Sequence, residues 1–208
     1  MSGKELIHFA AMNDNDKVIS LIIEEGANVN KLDNDNRTPL HYACRAGLVK
    51  NVRKLLQNDA KTNVPDSYGD LPIHFICDAV ENHKTMMYES LRLLLEAGPI
   101  DMVNVLNDDK KSPLSLAACW PANRSQGIIF KLIEKGANVN LPDRYQNFPV
   151  ISACSQGSFM NVRLLLRHGA NPNTVDCVGR GLLHHAATKT YLDGWNLLSD
   201  WKVDVEAC

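Results

Sequence analysis

One short apolar pattern recurs along the chain, and it constrains the fold more than any other feature. His8, His41 and His74 stand 33 residues apart, and each lies in a similar run of apolar residues. The same pattern returns in three later runs, which begin at Pro113, Pro149 and Leu182. A fixed period of this length is the signature of a repeat protein, in which each unit is one small supersecondary motif.

The period divides the chain into six repeats, which we assign to a single domain over residues 1–208. Each repeat carries two short apolar stripes at helical spacing, such as Val18, Leu21 and Ile22 in the second stripe of the first repeat. One helix pair cannot bury both of its apolar faces alone, so neighbouring repeats must stack. The predicted repeats cover residues 4–32, 33–65, 66–106, 107–142, 143–175 and 176–208.

Composition and charge exclude several classes of partner. The chain has 208 residues, of which 45% are apolar, with 22 basic and 24 acidic side chains and no block of like charge. We therefore expect neither nucleic acid nor an anionic membrane surface as a partner. The beginning of the sequence lacks the apolar core of a signal peptide, and no apolar run reaches membrane-spanning length. We expect a soluble, monomeric protein of the cytoplasm and/or nucleus that does not insert directly into membranes.

The six cysteines do not predict a disulfide framework or a zinc site. Cys44, Cys77 and Cys154 occupy one recurring position that holds alanine in the other repeats, which indicates a small buried slot. Cys119 and Cys177 follow no metal-ligand spacing, and the chain contains no CxxC pair.

The histidines and aspartates are also periodic, and this argues against catalysis. Because His8, His41, His74 and His184 share one repeat position, they are expected to belong to the scaffold. The histidines lack metal or catalytic-triad spacing, and the chain has no phosphate-binding glycine loop or GxSxG motif. We therefore predict no catalytic residues, no metal, no cofactor and no enzymatic activity.

Several motifs resemble those of the ankyrin repeat family over essentially the whole chain. Residues 38–41 read TPLH, residues 26–30 and 136–140 read GANVN, and residues 169–173 read GANPN. The resemblance implies an all-α ankyrin-repeat solenoid, in which each repeat has two antiparallel helices and a β-hairpin finger. It also implies that the shared histidines join neighbouring hairpins. The recurring aspartates that begin the fingers are expected to stabilise turns, and they are Asp33, Asp66, Asp143 and Asp176, with Asn107 in the same position of repeat four.

Repeats three and four depart from the regular length. About six residues are inserted near residues 78–88, two more follow Gly98, and repeat four is three residues longer than the norm, with an expected helix break at Gly127. The first insertion is either a longer loop or an extra helical turn, although its methionines and Tyr88 also suit a contact surface. In repeat six, Trp195 is expected in the core. The last residues, 203–208, resemble the start of another finger, so we expect more chain to follow in the parent protein.

The family resemblance implies that partners bind between the finger tips and the first helices. Mapped onto this chain, the implied partner-contact residues are Arg37, Arg45, Tyr68, Asp70, Asp108, Asp109, Lys111, Trp120, Arg144, Tyr145 and Arg180. Tyrosine, tryptophan and arginine dominate interface energies, which favours the central repeats. The convex side, the insertion and the ends of the array are open alternatives.

These observations predict a protein–protein interaction module that acts as a regulatory adaptor or scaffold. A stacked array presents a preformed surface, so a partner binds with little ordering cost. Two alternatives stay open: a regulatory subunit that directly activates or inhibits an enzyme such as a protein kinase, and the recognition domain of a larger enzyme such as a ubiquitin ligase.

Overall fold

The computed structural model describes residues 3–78, 84–188, 198–199, 201 and 203, with the backbone alone for 84–86. The described residues form helix pairs joined by turns. The α-helices are α1 (Leu6–Ala11), α2 (Asp16–Glu24), α3 (Pro39–Arg45), α4 (Val49–Gln57), α5 (Pro72–Asp78), α6 (Lys84–Ala97), α7 (Pro113–Ala118), α8 (Ala122–Glu134), α9 (Pro149–Ser155), α10 (Phe159–Arg167) and α11 (Leu182–Ala187). A 3-10 helix covers Ile100–Asn104.

Local sequence sets the short length of the first helix in each pair. In repeat two, Thr38 is the N-cap of α3 and Pro39 occupies its first turn, where the missing N–H costs nothing. The Thr38 N–H donates to Nδ1 of His41 at 3.0 Å, which completes a capping box. The chain reverses after the helix at Gly47, whose φ of 65° lies in the left-handed region that glycine adopts without strain.

The fingers are tight turns built around a buried aspartate. In finger two, one carboxylate oxygen of Asp33 accepts the N–H groups of Asp35 and Arg37, both at 2.9 Å, and the Asp33 N–H donates to the Arg37 carbonyl. The same double acceptance recurs at Asp66, Asp143 and Asp176. The aspartates are thus turn residues, as the sequence predicts. Among the described residues, the expected β-hairpin pairing is reduced to one isolated antiparallel bridge, between Val175 and Gly181.

The backbone divides into two compact units, residues 1–108 and 109–208. Each unit has an aliphatic core from both helices of its repeats, with side chains almost fully removed from water. The first core includes Leu40, Leu55, Ile73, Leu91 and Leu94, and the second includes Leu114, Ile129, Leu132, Val150 and Leu165. Cys44, Cys77 and Cys154 are buried free thiols, as their alternation with alanine predicts.

The insertion in repeat three lengthens a helix. Helix α6 has 14 residues, whereas α2, α4 and α10 have nine each. Its buried Met87 lies so close to Gly47 that a Cβ on that glycine would be 3.2 Å from the Met87 Cε. The extra helical turn therefore covers the turn of repeat two. Residues 79–83 of the insertion lie outside the described residues.

Repeat four contains a correction to the sequence analysis. Gly127 does not break a helix, because α8 runs through it from Ala122 to Glu134. The break lies earlier, at Pro121, which is the N-cap of α8. The helix continues through Gly127 because Ser125, Ile128 and Ile129 around it are buried, and this packing outweighs the low helix propensity of glycine. The position of Trp195 and the chain end from 204 onward lie outside the described residues.

Candidate functional site

Backbone hydrogen bonds hold the finger tips of the first unit in a row. The Ser67 N–H donates to the Asp35 carbonyl at 2.8 Å, and the Asp108 N–H donates to the Tyr68 carbonyl at 3.0 Å. Both carbonyls belong to the residue two positions after the first residue of a finger. We call this position the tip position. Since these bonds use backbone atoms alone, the tip side chains are available for other contacts.

The second unit repeats this arrangement. The Arg144 N–H donates to the Asp109 carbonyl at 3.0 Å, and the Cys177 N–H donates to the Tyr145 carbonyl at 3.3 Å. Asp109 and Tyr145 occupy the same tip position as Asp35 and Tyr68. Each unit therefore presents a row of tip side chains on a hydrogen-bonded backbone.

The recurring histidines hydrogen-bond to backbone carbonyls in or just before the next finger. Nδ1 of His41 accepts the Thr38 N–H, so the ring proton is on Nε2, which donates to the Asp70 carbonyl at 3.1 Å. His74 makes the equivalent bond to the Val105 carbonyl at 3.1 Å. Burial lowers the pKa of His41 to about 4, which keeps the ring neutral at physiological pH. These histidines are structural, as the family resemblance implies.

Arg37, which the sequence predicts as a contact residue, is also bound to the scaffold. Its Nε donates to the buried carboxylate of Asp66 at 3.0 Å, and only 18% of its side chain is exposed. Its guanidinium also lies 5.8 Å from the centre of the Tyr68 ring and 5.3 Å from that of Phe75. Burial lowers the pKa of Arg37, but hydrogen bonds to Asp66 and Tyr42 outweigh this and raise it. Arg37 therefore joins fingers two and three beneath Tyr68.

The other predicted residues of the first unit differ in exposure. Tyr68 is 58% exposed, and Arg45 and Asp108 are also exposed. The carboxylate of Asp70 is half-buried and accepts the side-chain N–H of Asn107 at 2.8 Å. Burial raises the pKa of Asp70 more than this hydrogen bond lowers it. Tyr68 and Asp108 are thus two exposed residues whose backbones are joined by a hydrogen bond.

In the second unit, three predicted residues come together. Arg144 forms an ion pair with Asp109, with 3.1 Å between Nη1 and Oδ1, and both side chains are about half exposed. Tyr145 follows Arg144 at the tip and is 55% exposed. An exposed ion pair of this kind contributes little to stability. Its charges are therefore available to a partner at low energetic cost.

Trp120 and Arg180 have stronger ties to the scaffold than the sequence suggests. The Trp120 side chain is half-buried, and its indole nitrogen is shielded from water without a hydrogen bond to any described residue. The Arg180 side chain is half exposed, and its Nε donates to the buried carboxylate of Asp176 at 2.8 Å. Lys111, the remaining residue of the predicted contact set, is half-buried.

Sequence reasoning missed Val178, which is 71% exposed. It lies two residues after Asp176, the tip position held by Tyr145 in the preceding finger. Counting from the finger aspartate would have identified it. The second unit therefore has an apolar residue and an aromatic residue at neighbouring tips.

No group of three or more His, Cys, Asp or Glu side chains in the described part of the chain could hold a metal ion. No described helix combines the length and the apolar character needed to cross a bilayer.

Comparisons with known proteins agree with this architecture. A family model described as ankyrin repeats, in three copies, matches residues 2–66 and 121–207, which is well over half of the chain. The crystal structure of the human ASB11 ankyrin repeat domain superposes with a TM-score of 0.82 at 22% identity, and the match covers 98% of this chain and 86% of that one. This likeness confirms the all-α ankyrin-repeat solenoid.

Three curated relatives are much longer proteins. The transient receptor potential cation channel subfamily A member 1 of Drosophila melanogaster is 25% identical over 88% of this chain and 12% of its own length. The nuclear factor NF-kappa-B p105 subunit of Gallus gallus is 30% identical over 60% of this chain and 13% of its own. The E3 ubiquitin-protein ligase KEG of Arabidopsis thaliana is 36% identical over 50% of this chain and 6% of its own.

The chain thus spans only about an eighth of the first two relatives, so its likeness to them is confined to the repeats. The periodic motifs, the helix pairs with their turn-like fingers and the match of the family model agree with one another. The chain belongs to the ankyrin repeat family.

Proposed function

We propose that this protein-interaction module acts as an adaptor or scaffold and binds its partner through the finger tips and the adjoining ends of the first helices. The proposal rests on the different roles of the backbone and the side chains at the finger tips. The Tyr68 and Tyr145 carbonyls bind the next finger, whereas their side chains are 58% and 55% exposed. The backbone of each tyrosine is thus held by the scaffold, while more than half of its side chain is exposed.

Tyrosine at a fixed tip suits protein recognition. Its ring provides a large contact area and a polar hydroxyl, and few rotatable bonds are lost on binding. Arg37 lies beneath Tyr68 and reduces the mobility of the ring further. We expect these tyrosines to be the main contributors to binding, and the remaining members of the proposed surface are Arg45, Asp70, Asp108, Asp109, Lys111, Trp120, Arg144, Val178 and Arg180.

Replacing the two tip tyrosines tests this proposal. The chain and its Tyr68→Ala/Tyr145→Ala variant would be used side by side for affinity capture, and the enriched partner would then be purified and titrated by calorimetry. We expect about tenfold weaker binding for each tyrosine removed, equivalent to about 1.4 kcal/mol.

Tyr88→Ala is the matched control, because Tyr88 is 38% exposed and belongs to α6 rather than to a finger. This variant should bind like the wild type. Equal affinity of the double variant and the wild type would contradict the finger-tip proposal.

A second candidate function is the recognition domain of a larger enzyme. It is favoured by the small share of each relative that the chain covers, and one of these relatives is named an E3 ubiquitin-protein ligase. The ankyrin fold itself is a non-catalytic interaction domain, so any activity would belong to another segment. Long-read sequencing of the complete transcript would distinguish the candidates, since an encoded catalytic domain favours the second and its absence favours the adaptor.

We further propose that the protein acts as a monomer in the cytoplasm and/or nucleus. None of the five described cysteines is in a disulfide, and three of them lie in the core, which suits a compartment that keeps thiols reduced. Sedimentation velocity would test the monomer, and fluorescence imaging of the tagged protein would test the location. A stable dimer or a secreted protein would contradict the corresponding part of this proposal.

A further inference from the structure

A second exposed surface is formed by residues of α8 and α10, outside the fingers. Phe130 of α8 is 50% exposed and Met160 of α10 is 53% exposed. Gly127, one turn before Phe130, is also exposed and has no side chain to shield the ring. We call this surface the α8/α10 face, and it consists of Gly127, Phe130 and Met160 with the exposed arginines Arg124, Arg163 and Arg167.

The repeat register places Phe130 and Met160 at corresponding exposed positions of two neighbouring helices. Helices α8 and α10 pack against each other, and the Phe130 ring meets the His168 ring edge-on with 6.2 Å between centroids. In the first unit, Arg53 and Glu89 occupy the same two register positions in consecutive repeats and form an ion pair at 3.4 Å. The two apolar side chains of the second unit therefore occupy positions that are neighbours across two helices.

The first unit carries charges at these positions. Lys50 pairs with Asp16 at 3.4 Å, and Arg92 pairs with Glu89 and Glu96. Such mutual pairing suits a surface that faces water. The second unit has glycine, phenylalanine and methionine in place of most of these charges, which leaves large apolar side chains exposed without an evident scaffold role.

The charges on the two helices are mostly positive. Over residues 122–135 and 159–167 the chain has five basic side chains and one acidic, although its formal net charge is −2. The single acid, Glu134, is paired with Lys131 at 3.0 Å. The side chains of Arg163 and Arg167 make no hydrogen bond or ion pair with any described residue.

We propose that the α8/α10 face is a second docking site, and that it binds an acidic amphipathic helix of a partner protein. The apolar stripe of that helix would cover Phe130 and Met160, and its carboxylates would meet Arg124, Arg163 and Arg167. Arginine suits this role because its planar guanidinium binds a carboxylate with two hydrogen bonds. A membrane surface is disfavoured because two large apolar side chains give little area for insertion.

A synthetic peptide provides the test. The probe has leucines at helical spacing on one face and glutamates on the other, and its control has lysines in place of the glutamates. We expect the intact chain to bind the acidic peptide and not the basic one in fluorescence anisotropy. Phe130→Ser and Arg163→Ala/Arg167→Ala should each weaken binding at least tenfold, and the affinity should fall as salt is raised.

Two control variants separate this site from its surroundings. Arg53→Ala changes the equivalent position of the first unit, and Tyr68→Ala changes a finger tip, so both should leave peptide binding unchanged. Met160→Ser provides a second change in the same apolar pair. Circular dichroism checks that each variant is folded, which we expect because Phe130 and Met160 are half exposed.

Three results would overturn the proposal: no binding of the acidic peptide, binding that is insensitive to Phe130→Ser and Met160→Ser, or equal binding of the lysine peptide. Vesicles of phosphatidylserine and phosphatidylcholine should not bind. If the vesicles bind, if Phe130→Ser abolishes that binding, and if the acidic peptide does not bind, the face is a membrane site instead. Because Tyr68→Ala is a control here, failure of this proposal is distinguishable from failure of the finger-tip proposal.

Discussion

At the scale of single residues, burial and hydrogen bonding decide the chemistry of the titratable groups. His41, Cys44 and Arg37 lie close together in sequence and contain groups that many active sites use. In the structure, His41 is a neutral donor to the next finger, Cys44 is fully buried and Arg37 is bound to Asp66. Burial raises the pKa of the Cys44 thiol, which removes its nucleophilic thiolate. Each group therefore contributes to the scaffold.

The buried His41 should make stability depend on pH. Its pKa is about 4 in the folded chain against an ordinary 6.5, so below pH 6.5 the unfolded chain binds more protons. Stability is therefore lost as the pH falls from 6.5 towards 4, by about 2 kcal/mol at pH 5 for this one group. Urea unfolding at pH 7 and pH 5 measures this loss. His41→Asn should lose about 2 kcal/mol less than the wild type.

Leu40→Ala is the control for this experiment, because it is destabilised without any change in titratable groups. It should retain the pH dependence of the wild type. An equal pH dependence in His41→Asn and the wild type would contradict the burial of a neutral ring at this position.

Asp59 is a second residue whose conformation leads to a prediction. Its φ is 62°, in the left-handed region, where Gly26, Gly136 and Gly169 of other repeats have φ of 87° to 89°. A residue with a Cβ is strained there by about 1 kcal/mol, so Asp59→Gly should be stabilising by a similar amount. Thermal unfolding measures the gain. Asp59→Ala has a Cβ and should show no such gain, and equal midpoints for the two variants would argue against strain.

At the scale of elements, one position in the second helices joins repeats two and five to the repeats before them. Nδ2 of Asn51 donates to carbonyls at the end of α1 and in the turn that follows, the shortest bond being 2.8 Å to Asn13. Asn161 makes the corresponding bond to the Trp120 carbonyl at 2.9 Å. In repeat three the position holds Ser90, whose buried hydroxyl has no hydrogen-bond partner among the described residues. The contribution of this position to the free energy of unfolding should therefore differ between repeats.

This difference predicts unequal effects of the same truncation. Asn51→Ala leaves buried carbonyls unsatisfied and should cost about 2 to 3 kcal/mol in the free energy of unfolding. Ser90→Ala removes a hydroxyl without a partner and should change stability by less than about 0.5 kcal/mol, or raise it. Chemical denaturation of both variants gives the comparison. Similar losses in the two would show that the Asn51 hydrogen bonds do not matter.

At the scale of the whole molecule, the chain consists of two compact units, each with its own aliphatic core. A repeat array has no long-range core, and its stability is a sum over repeats and their neighbours. The effect of a core substitution should therefore be greatest within the unit that contains it. Local opening in such a chain is measured by the exchange of backbone amides.

Leu40→Ala in the first unit should lower amide protection mainly over residues 1–108. Leu165→Ala should lower it mainly over 109–208, because each leucine is fully buried in its own unit. Each substitution should cost about 2 to 5 kcal/mol. Hydrogen exchange read by mass spectrometry gives the pattern. A uniform loss of protection over both units in either variant would contradict this division.

The sequence by itself determined the repeat period, the fold class and the recurring scaffold residues, because these depend on local caps, turn residues and periodic burial that recur from repeat to repeat. It could not predict the ion pair of Arg37, because the partner of that side chain, Asp66, belongs to the next repeat. The continuous helix through Gly127 and the exposed face around Phe130 likewise depend on which neighbours cover each side chain. Only the tertiary structure decided these points, since burial and pairing arise from contacts between repeats that a single-repeat pattern does not contain.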